Sequence, residues 1–310
     1  MSSYEQVLAG NMRSAGRLLR DLDDGLPDAR DVLKQLYAHT GQARIIGITG
    51  PPGSGKSTLV DALIAFYRKL GKRVGVIAVD PSSPFSGGAI LGDRIRMNRH
   101  ATDEGVFIRS LASRGHLGGL SRSTNDAVTV LDAMGYDPVF IETVGVGQAE
   151  VDIVESAHIA VVVTVPGLGD EVQAIKAGIL EIADLLCVNK ADRSGADRAE
   201  HDLQLMLDLR SDQLPRPAIV PTVANTGKGI DALAAEMDRL GARDDEEIWN
   251  DRLLRRARRQ LEDLIRQGAT EAVLMHLKDD MDALVSAIAR REVDPYTATE
   301  RALAVMLDRE

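Results

Sequence analysis

Several features that mark other classes of protein are scarce in this 310-residue chain. It has one cysteine, Cys187, so no internal disulfide can form and a reducing compartment is expected. Aromatic residues make up only 3%, and 47 acidic residues outnumber 37 basic ones, for a net charge of −10, which disfavours binding to nucleic acid. No apolar run approaches the ~20 residues of a membrane helix, and the first residues lack the features of an export signal. We therefore expect a cytoplasmic protein that binds neither nucleic acid nor membranes.

The hydrophobic residues, 44% of the chain, form two alternating patterns between about residues 43 and 240. Short runs that are apolar at consecutive positions are typical of parallel strands covered on both faces, and longer amphipathic segments are typical of the covering helices. The runs are Ile45–Ile48, Val74–Val79, Val139–Ile141, Ile159–Val165, Leu185–Val188 and Ala218–Val220. The expected helices are Ser57–Leu70, Thr124–Met134, Glu171–Ile182, Asp197–Leu209 and Ile230–Leu240. This alternation predicts an α/β fold with a mostly parallel, doubly wound sheet.

Three regions are predicted along the chain. Residues 1–42 form a helical N-terminal extension, residues 43–243 the α/β domain, and residues 244–310 a helical C-terminal arm. Apolar residues recur at helical spacing from Leu254 to Ile265, and such a face outside a complete domain needs a partner, for which a second subunit is one choice. Another face of the same helix, expected to be solvated or to contact an acidic partner, carries Arg252, Arg255, Arg256 and Arg259.

A glycine-rich turn between the first predicted strand and the first predicted helix of the domain fits a phosphate-binding loop. Residues 50–57 match G-x-x-x-x-G-K-[ST], and the glycines let successive backbone N–H groups face an anion at a helix N-terminus. Lys56 would reach the β- and γ-phosphates, and the Ser57 hydroxyl would ligate Mg²⁺. A turn without a ligand is the alternative. The predicted nucleotide contacts are Gly50, Pro51, Pro52, Gly53, Ser54, Gly55, Lys56, Ser57 and Thr58.

A second motif indicates which nucleotide base is bound. Asn189-Lys190-Ala191-Asp192 ends a predicted strand and matches N-K-x-D, the guanine-reading element of GTPases. The Asp192 carboxylate would accept hydrogen bonds from the ring N–H and the exocyclic amine of guanine, a pairing that adenine cannot offer. The tetrapeptide alone could be a helix N-cap turn. A companion loop is expected at Val223-Ala224-Asn225, which departs from the common Ser-Ala-Lys form. The expected ligands are GTP and GDP.

Acidic residues near the ends of predicted strands are candidate metal ligands. Asp80 and Glu142 end strands, and Asp93 follows a glycine-rich stretch. Carboxylates at the carboxyl ends of parallel strands face the ligand crevice, and Mg²⁺ binds one or two of them beside phosphate oxygens. With Ser57 they form the predicted magnesium set, although each acid could instead cap a helix. Glu142-Thr143-Val144-Gly145 is similar to the D-x-x-G switch motif, with Gly145 donating its N–H to the γ-phosphate.

The residue that positions the attacking water is left open by the motifs. Ras-like proteins have a glutamine directly after the switch glycine, whereas here Val146 follows Gly145 and Gln148 comes later. Gln148 is therefore a catalytic candidate, with a structural role as the alternative, and slow intrinsic hydrolysis is expected. Arg94 and Arg96 could serve as an arginine finger or pair with acids.

Longer blocks of sequence resemble one family. They are Gly50–Ser57, Asp80–Met97, Arg114–Leu120, Glu142–Gln148, Pro166–Glu171 and Asn189–Asp192. In these blocks the chain resembles the MeaB/ArgK family, the G-protein chaperones of adenosylcobalamin-dependent methylmalonyl-CoA mutase, and the resemblance covers nearly the whole chain.

The resemblance implies a SIMIBI-type P-loop GTPase that dimerises through its C-terminal arm. It also implies that the protein gates cofactor loading into the mutase and protects and reactivates that enzyme. Pro166–Lys176 resembles an additional switch, and its charged members Asp170 and Lys176 join Lys56 and Gln148 as the catalytic candidates.

Two other functions stay open at this point. A P-loop kinase or ATPase linked to arginine or ornithine transport would need ATP and an acceptor site, and Asn189–Asp192 argues against it. A metallochaperone GTPase would deliver nickel or cobalt, but the six histidines are dispersed and form no cluster with cysteine at ligand spacing. The identity of the mutase is also open, since isobutyryl- and ethylmalonyl-type mutases use similar proteins.

Overall fold

A computed structural model describes residues 2–81, 98–100, 102–113, 119–143, 157–167, 183–208, 215–242, 246–277 and 280–307. The strands are β1 Ile45–Thr49, β2 Val74–Pro81, β3 Val106–Ser113, β4 Val139–Thr143, β5 Ile159–Thr164, β6 Leu185–Val188 and β7 Ala218–Pro221. The helices are α1 Ser3–Leu8, α2 Met12–Asp23, α3 Pro27–Tyr37, α4 Lys56–Lys69, α5 Gly119–Ala133, α6 Ala196–Asp208, α7 Ile230–Leu240, α8 Glu246–His276, α9 Met281–Ala289 and α10 Pro295–Leu307. A short 3₁₀ helix covers Asn98–His100.

The strands form one parallel sheet of seven in the order β3-β2-β4-β1-β5-β6-β7. The predicted α/β class with a parallel, doubly wound sheet is therefore confirmed. From β1 the chain runs outward to β2 and β3, returns to β4 beside β1, and then runs outward on the other side through β5, β6 and β7, so its direction reverses beside β1. Ligands of such sheets bind at the carboxyl ends of the strands beside this reversal, and β1 leads directly into residues 50–57.

Buried side chains pack on both faces of the sheet. On one face, α4 and α7 contribute Leu59, Leu63, Ile230 and Leu233 to a core that includes Ile46, Ile48, Val161 and Val163. On the other, α5 packs against Ile77, Val139 and Ile141, and α6 packs against Val162, Leu186 and Val188. Because both faces are covered, the strands are apolar at consecutive positions.

The edge strand β3 was not among the predicted strands. Its Val106, Phe107 and Leu111 are buried, but Arg109 and Ser110 interrupt the apolar run. Arg109 donates a 2.7 Å hydrogen bond to Asp23 of α2, so its charge is neutralised. β3 lies at the edge of the sheet beside β2, and the pairing of Arg109 with Asp23 lets the strand hold a charged residue there.

The predicted helical N-terminal extension is present as α1, α2 and α3. Leu18, Leu19 and Leu22 of α2 are buried in the core that includes Ala127 and Leu131 of α5. The helical stretch is divided between α2 and α3, and Pro27 occupies the first turn of α3, where a proline lacks only an N–H that would be unpaired anyway. The extension thus covers α5 as an outer layer.

The C-terminal region is helical, as expected, and the chain divides into two compact units, Met1–Arg259 and Gln260–Glu310. In the first unit, the start of α8 is fixed to the α/β domain: Arg252 pairs with Asp184 at 2.8 Å and donates to the His158 carbonyl at 2.6 Å. The expectation of a solvated Arg252 is wrong, because its side chain is only 9% exposed. In the second unit, Leu261, Leu264 and Ile265 of α8 are exposed. Across the described ranges, no helix is long and apolar enough to cross a membrane.

Candidate functional site

The loop between β1 and α4 has two positions that only glycine fits. Gly50 has φ 139°, and a Cβ there would lie 2.1 Å from the Val163 carbonyl oxygen of β5. Gly55 has φ 88°, and a Cβ there would lie 2.6 Å from Asn189 Nδ2. Both φ values lie in the region that disfavours side chains, and both contacts are far shorter than van der Waals distances. The loop therefore packs tightly against the ends of β5 and β6.

Lys56 lies inside this loop. Its Nζ donates hydrogen bonds to the carbonyl oxygens of Gly50, at 2.7 Å, and Pro51, at 3.2 Å, and the residue is 6% exposed. Burial makes a charge costly unless it is hydrogen-bonded. The loop carbonyls hold the ammonium beside the turn, where a bound phosphate can replace them as its hydrogen-bond partner.

Ser57 and Glu142 meet at the carboxyl edge of the sheet. The Ser57 hydroxyl donates to Glu142 Oε1 at 2.6 Å, and both side chains are buried. A hydroxyl and a carboxylate oxygen are the kind of donor that Mg²⁺ prefers, so these residues fit that ion. For Asp80 only the backbone position at the end of β2 is described, and Asp93 lies outside the described residues. The described side chains alone bring together no group of three metal-binding residues.

Asn189 connects three segments at this edge. Its Nδ2 donates to the Ser54 carbonyl at 2.9 Å, and its Oδ1 accepts from the Thr222 hydroxyl and the Ala224 backbone N–H, both at 3.2 Å. The amide thus joins the phosphate loop to the segment that follows β7. Sequence reasoning missed Thr222, although a hydroxyl residue directly before the expected Val223–Asn225 loop was the available signal.

Lys190 and Asp192 complete the motif after β6. Lys190 has φ 56°, a left-handed conformation that turns the chain at this point, and its Nζ donates to the Gly53 carbonyl at 2.7 Å. The Ala191 N–H donates to the Thr222 carbonyl at 3.0 Å. The turn is therefore fixed on both sides, with Asp192 at the cleft.

These segments enclose a cleft of about 390 Å³, within the usual range for small-molecule sites. Its lining combines the phosphate loop, the end of β4 and the two loops after β6 and β7. The lining residues are Pro52, Gly53, Gly55, Lys56, Ser57, Thr58, Glu142, Thr143, Asn189, Lys190, Asp192, Val223, Ala224 and Asn225. The predicted contacts Gly50, Pro51 and Ser54 belong to the same loop and hold Lys56 and Asn189 through their carbonyls. Gly145, Gln148, Asp170 and Lys176 lie outside the described residues.

The single cysteine lies under this cleft, in β6. Burial raises the pKa of the Cys187 thiol to about 12, partly offset by the Thr222 hydroxyl, whose oxygen lies 3.2 Å from Sγ. A thiol that stays protonated is a poor nucleophile and a poor metal ligand. Cys187 therefore contributes packing.

A parallel sheet whose central strand leads into a lysine-containing phosphate loop, with an N-K-x-D turn at the same cleft, defines a P-loop GTPase fold. A sequence model of the family described as "Methylmalonyl Co-A mutase-associated GTPase MeaB" matches residues 18–282. The chain belongs to this family and is a GTPase that binds guanine nucleotide through a P-loop.

Individual relatives agree with the family assignment. A protein of Pyrococcus abyssi that is named as a GTPase is 48% identical over 310 residues, which cover 96% of this chain and 94% of the relative. The mitochondrial "Methylmalonic aciduria type A homolog" of Mus musculus is 40% identical over 190 residues, 60% of this chain and 46% of the relative. A crystal structure of an "LAO/AO transport system kinase" shares the fold, with TM-score 0.71, 23% identity and coverage of 98% and 96% of the two chains.

Proposed function

We propose that this GTPase is a chaperone of an adenosylcobalamin-dependent acyl-CoA mutase, with methylmalonyl-CoA mutase as the preferred partner. In this role it gates loading of the cobalamin cofactor and protects and reactivates the mutase. The observation that carries the proposal is the cleft in which the phosphate loop and the Asn189–Asp192 turn meet, in a chain whose family is described by its association with this mutase.

In the proposed complex, each segment of the cleft contacts one part of GTP. The loop of residues 50–58 surrounds the phosphates with backbone N–H groups, and Lys56 exchanges its contacts with the Gly50 and Pro51 carbonyls for phosphate oxygens. Asp192 accepts hydrogen bonds from guanine. Val223, Ala224 and Asn225 close the cleft beside the base.

The proposed magnesium set is Ser57 and Glu142 with Asp80 and Asp93. The 2.6 Å hydrogen bond between Ser57 and Glu142 places two buried oxygen donors together, which supports it. Bound Mg²⁺ would neutralise charge on the β- and γ-phosphates. Gly145, Gln148, Asp170 and Lys176 are the proposed nucleotide-responsive and catalytic residues of the switches. Since no glutamine directly follows Gly145, where Ras-like proteins have one, basal hydrolysis is expected to be slow.

A homodimer through the C-terminal region is the proposed assembly. Leu261, Leu264 and Ile265 lie at helical spacing on α8 and are 59%, 45% and 61% exposed. A second copy of the chain would cover them. Leu261→Glu is expected to give a monomer in sedimentation velocity, whereas Leu205→Glu, at an exposed leucine on α6, is expected to leave the dimer intact. A wild-type protein that sediments as a monomer would contradict this assembly.

Hydrolysis of GTP and of ATP, each with and without an adenosylcobalamin-dependent acyl-CoA mutase, tests the main proposal. Slow GTP-specific turnover that rises with the mutase, and is lost in Lys56→Ala, is the expected result. GTP turnover that ignores the mutase would remove the proposed partner and keep the nucleotide site. ATP-dependent phosphorylation of an acceptor would favour the transport-linked kinase. Nickel or cobalt bound without nucleotide would favour metal delivery.

A further inference from the structure

The last two residues of β4 carry buried polar side chains, and successive residues of a strand point to opposite faces of the sheet. On the face covered by α4, Glu142 Oε1 accepts the 2.6 Å hydrogen bond from the Ser57 hydroxyl. On the other face, the Thr143 hydroxyl donates to Thr49 Oγ1 at 3.2 Å and lies 3.5 Å from the Ile48 carbonyl oxygen. The end of β4 is therefore held by separate side-chain contacts on its two faces.

The register of the sheet places the two threonines side by side. Ile48 of β1 pairs with Glu142 of β4 in parallel register, so the residues that follow them, Thr49 and Thr143, are neighbours on the same face. Both threonines are buried, with 0% and 2% of their surface exposed. Because both hydroxyls are shielded from water, removing one of them leaves the other without this partner, which costs free energy.

The residues that β4 contacts lie at the two ends of the phosphate loop. Thr49 directly precedes Gly50, the first residue of the loop, and Ser57 directly follows Lys56. Gly50 in turn accepts the 2.7 Å hydrogen bond from the Lys56 ammonium through its carbonyl. Two consecutive residues of β4 thus contact both ends of the loop. Since they share a peptide bond, a shift of the strand end on one face also shifts it on the other.

We propose that Thr143 is a positioning residue for the metal-binding pair Ser57 and Glu142. Its hydrogen bond to Thr49 fixes the end of β4 and so holds the Glu142 carboxylate beside the Ser57 hydroxyl. The affinity of the nucleotide-bound protein for Mg²⁺ therefore depends on a hydroxyl that does not bind the ion, because it contacts Thr49 on the opposite face. The inference rests on the magnesium role of Ser57 and Glu142 under the proposed function.

The test compares Thr143→Val, which removes the hydroxyl and keeps the shape of the side chain, with Thr143→Ser, which keeps the hydroxyl. Each full chain is loaded with a fluorescent GDP analogue, and the release rate is followed while Mg²⁺ is titrated. A hydrogen bond of this kind changes an equilibrium constant about fivefold, so Thr143→Val is expected to raise the Mg²⁺ midpoint by about that factor. The Mg²⁺ midpoint of Thr143→Ser, and binding of the analogue to either variant in EDTA, are expected to stay within about twofold of wild type.

Thr164→Val is the matched control. Thr164 ends β5, on the other side of β1, and is 2% exposed, and its hydroxyl has no hydrogen-bond partner among the described residues. The same substitution there breaks no contact of β4, so the Mg²⁺ midpoint is expected to stay unchanged. Thr49→Val removes the contact from the other side and is expected to raise the midpoint like Thr143→Val. Because both changes remove the same contact, the double variant is expected to shift the midpoint no further than the larger single change.

An unchanged midpoint in a folded Thr143→Val, or an equal shift in Thr143→Ser or in Thr164→Val, would overturn the inference and leave the proposed function in place. A double variant whose shift combines both single shifts in full would overturn it as well. If Thr143→Val does not fold, an unchanged midpoint in Thr49→Val overturns it. A wild-type protein whose nucleotide release ignores Mg²⁺ would overturn the magnesium role of Ser57 and Glu142 itself, a result distinct from the failure of Thr143 alone.

Discussion

The side-chain amide of Asn189 donates a 2.9 Å hydrogen bond to the backbone carbonyl of Ser54 and so joins the end of β6 to the phosphate loop. The same side chain accepts from Thr222 and Ala224. Asn189→Ala removes three buried hydrogen bonds at once, and losses of about 1–3 kcal/mol per unsatisfied buried group predict GDP binding at least tenfold weaker by calorimetry. Asn11→Ala, which removes an exposed cap of α2, is the control and should leave GDP binding unchanged. Equal GDP affinities in the two variants would contradict the connecting role.

Asp192 is predicted to decide which base is bound. A carboxylate accepts from two N–H groups of guanine, whereas an amide at the same position offers an N–H to the extra carbonyl of xanthine. Asp192→Asn is therefore expected to weaken GTP binding strongly and to improve XTP binding, measured by competition with a fluorescent nucleotide. Asp197→Asn, five residues later on α6, should keep the wild-type preference. Unchanged discrimination in Asp192→Asn would assign the base contact to other residues.

Much of the fold was predictable because the sheet is covered on both faces. Burial at every position of β1, β4, β5 and β6 favours apolar residues at consecutive positions over most of each strand, which is a local signal. The phosphate loop and the Asn189 turn were also readable, because glycine and lysine at fixed spacing reflect local backbone geometry. Strand β3 has no such signal, since its Arg109 is neutralised by Asp23, 86 residues earlier in the chain.

Contacts between residues that are far apart in the chain could not be predicted from the sequence. Thr222 contacts Asn189 only because β6 and β7 pair side by side. Arg252 was grouped with other arginines of its helix by spacing alone, and its pairing with Asp184 depends on where α8 meets the sheet. A single sequence contains both residues of such a pair, but it does not show that they are in contact in the folded chain.

The rate at which a thiol reagent labels Cys187 is expected to report how strongly bound nucleotide suppresses local opening of β6. It is fully buried and burial raises its pKa to about 12, so a thiol reagent reaches it only when β6 opens. If that opening also breaks the Asn189 contacts, GDP at 100 times its dissociation constant should slow labelling about 100-fold. The chain unfolded in guanidinium, with one thiol per molecule, is the control. Rapid labelling of the native protein, or labelling indifferent to GDP, would contradict this.

The buried carboxylate of Asp126 on α5 is expected to make the stability of the protein depend on pH. Burial raises its pKa to about 6, Asp23 adds to the shift, and Arg122 and Arg30 oppose it. Between about pH 4 and pH 6 the folded chain keeps a proton that the unfolded chain releases, so stability falls as pH rises through this window. Asp126→Asn should therefore raise the free energy of unfolding by about 1–3 kcal/mol at pH 7.5 and change it little at pH 4.

Urea unfolding at the two pH values measures this effect. Asp31→Asn is the matched control, because its carboxylate is 64% exposed in a surface pair with Lys34, and it should change stability by less than about 0.5 kcal/mol at either pH. An Asp126→Asn variant that is no more stable than wild type at pH 7.5 would show that the carboxylate is better solvated than its burial indicates.

Arg252 is predicted to hold the start of α8 on the α/β domain. It pairs with Asp184, directly before β6, and donates to the His158 carbonyl, directly before β5. One turn earlier, Trp249, the single tryptophan of the chain, packs edge-on against the His158 ring with 4.9 Å between ring centroids. Removing one partner of a buried pair costs about 3 kcal/mol. Arg252→Met should therefore lower the melting temperature and move Trp249 emission to longer wavelength as the ring becomes exposed.

Arg255→Met is the matched control, because Arg255 is 70% exposed and pairs only with the exposed Asp251 of its own helix among the described contacts. It should leave both the melting temperature and the emission of Trp249 unchanged, since such surface pairs contribute about 0–1 kcal/mol. If Arg252→Met also keeps its emission wavelength while losing stability, then Trp249 and the His158 ring hold α8 in place without the ion pair. The contribution of Arg252 would then be confined to the ends of β5 and β6.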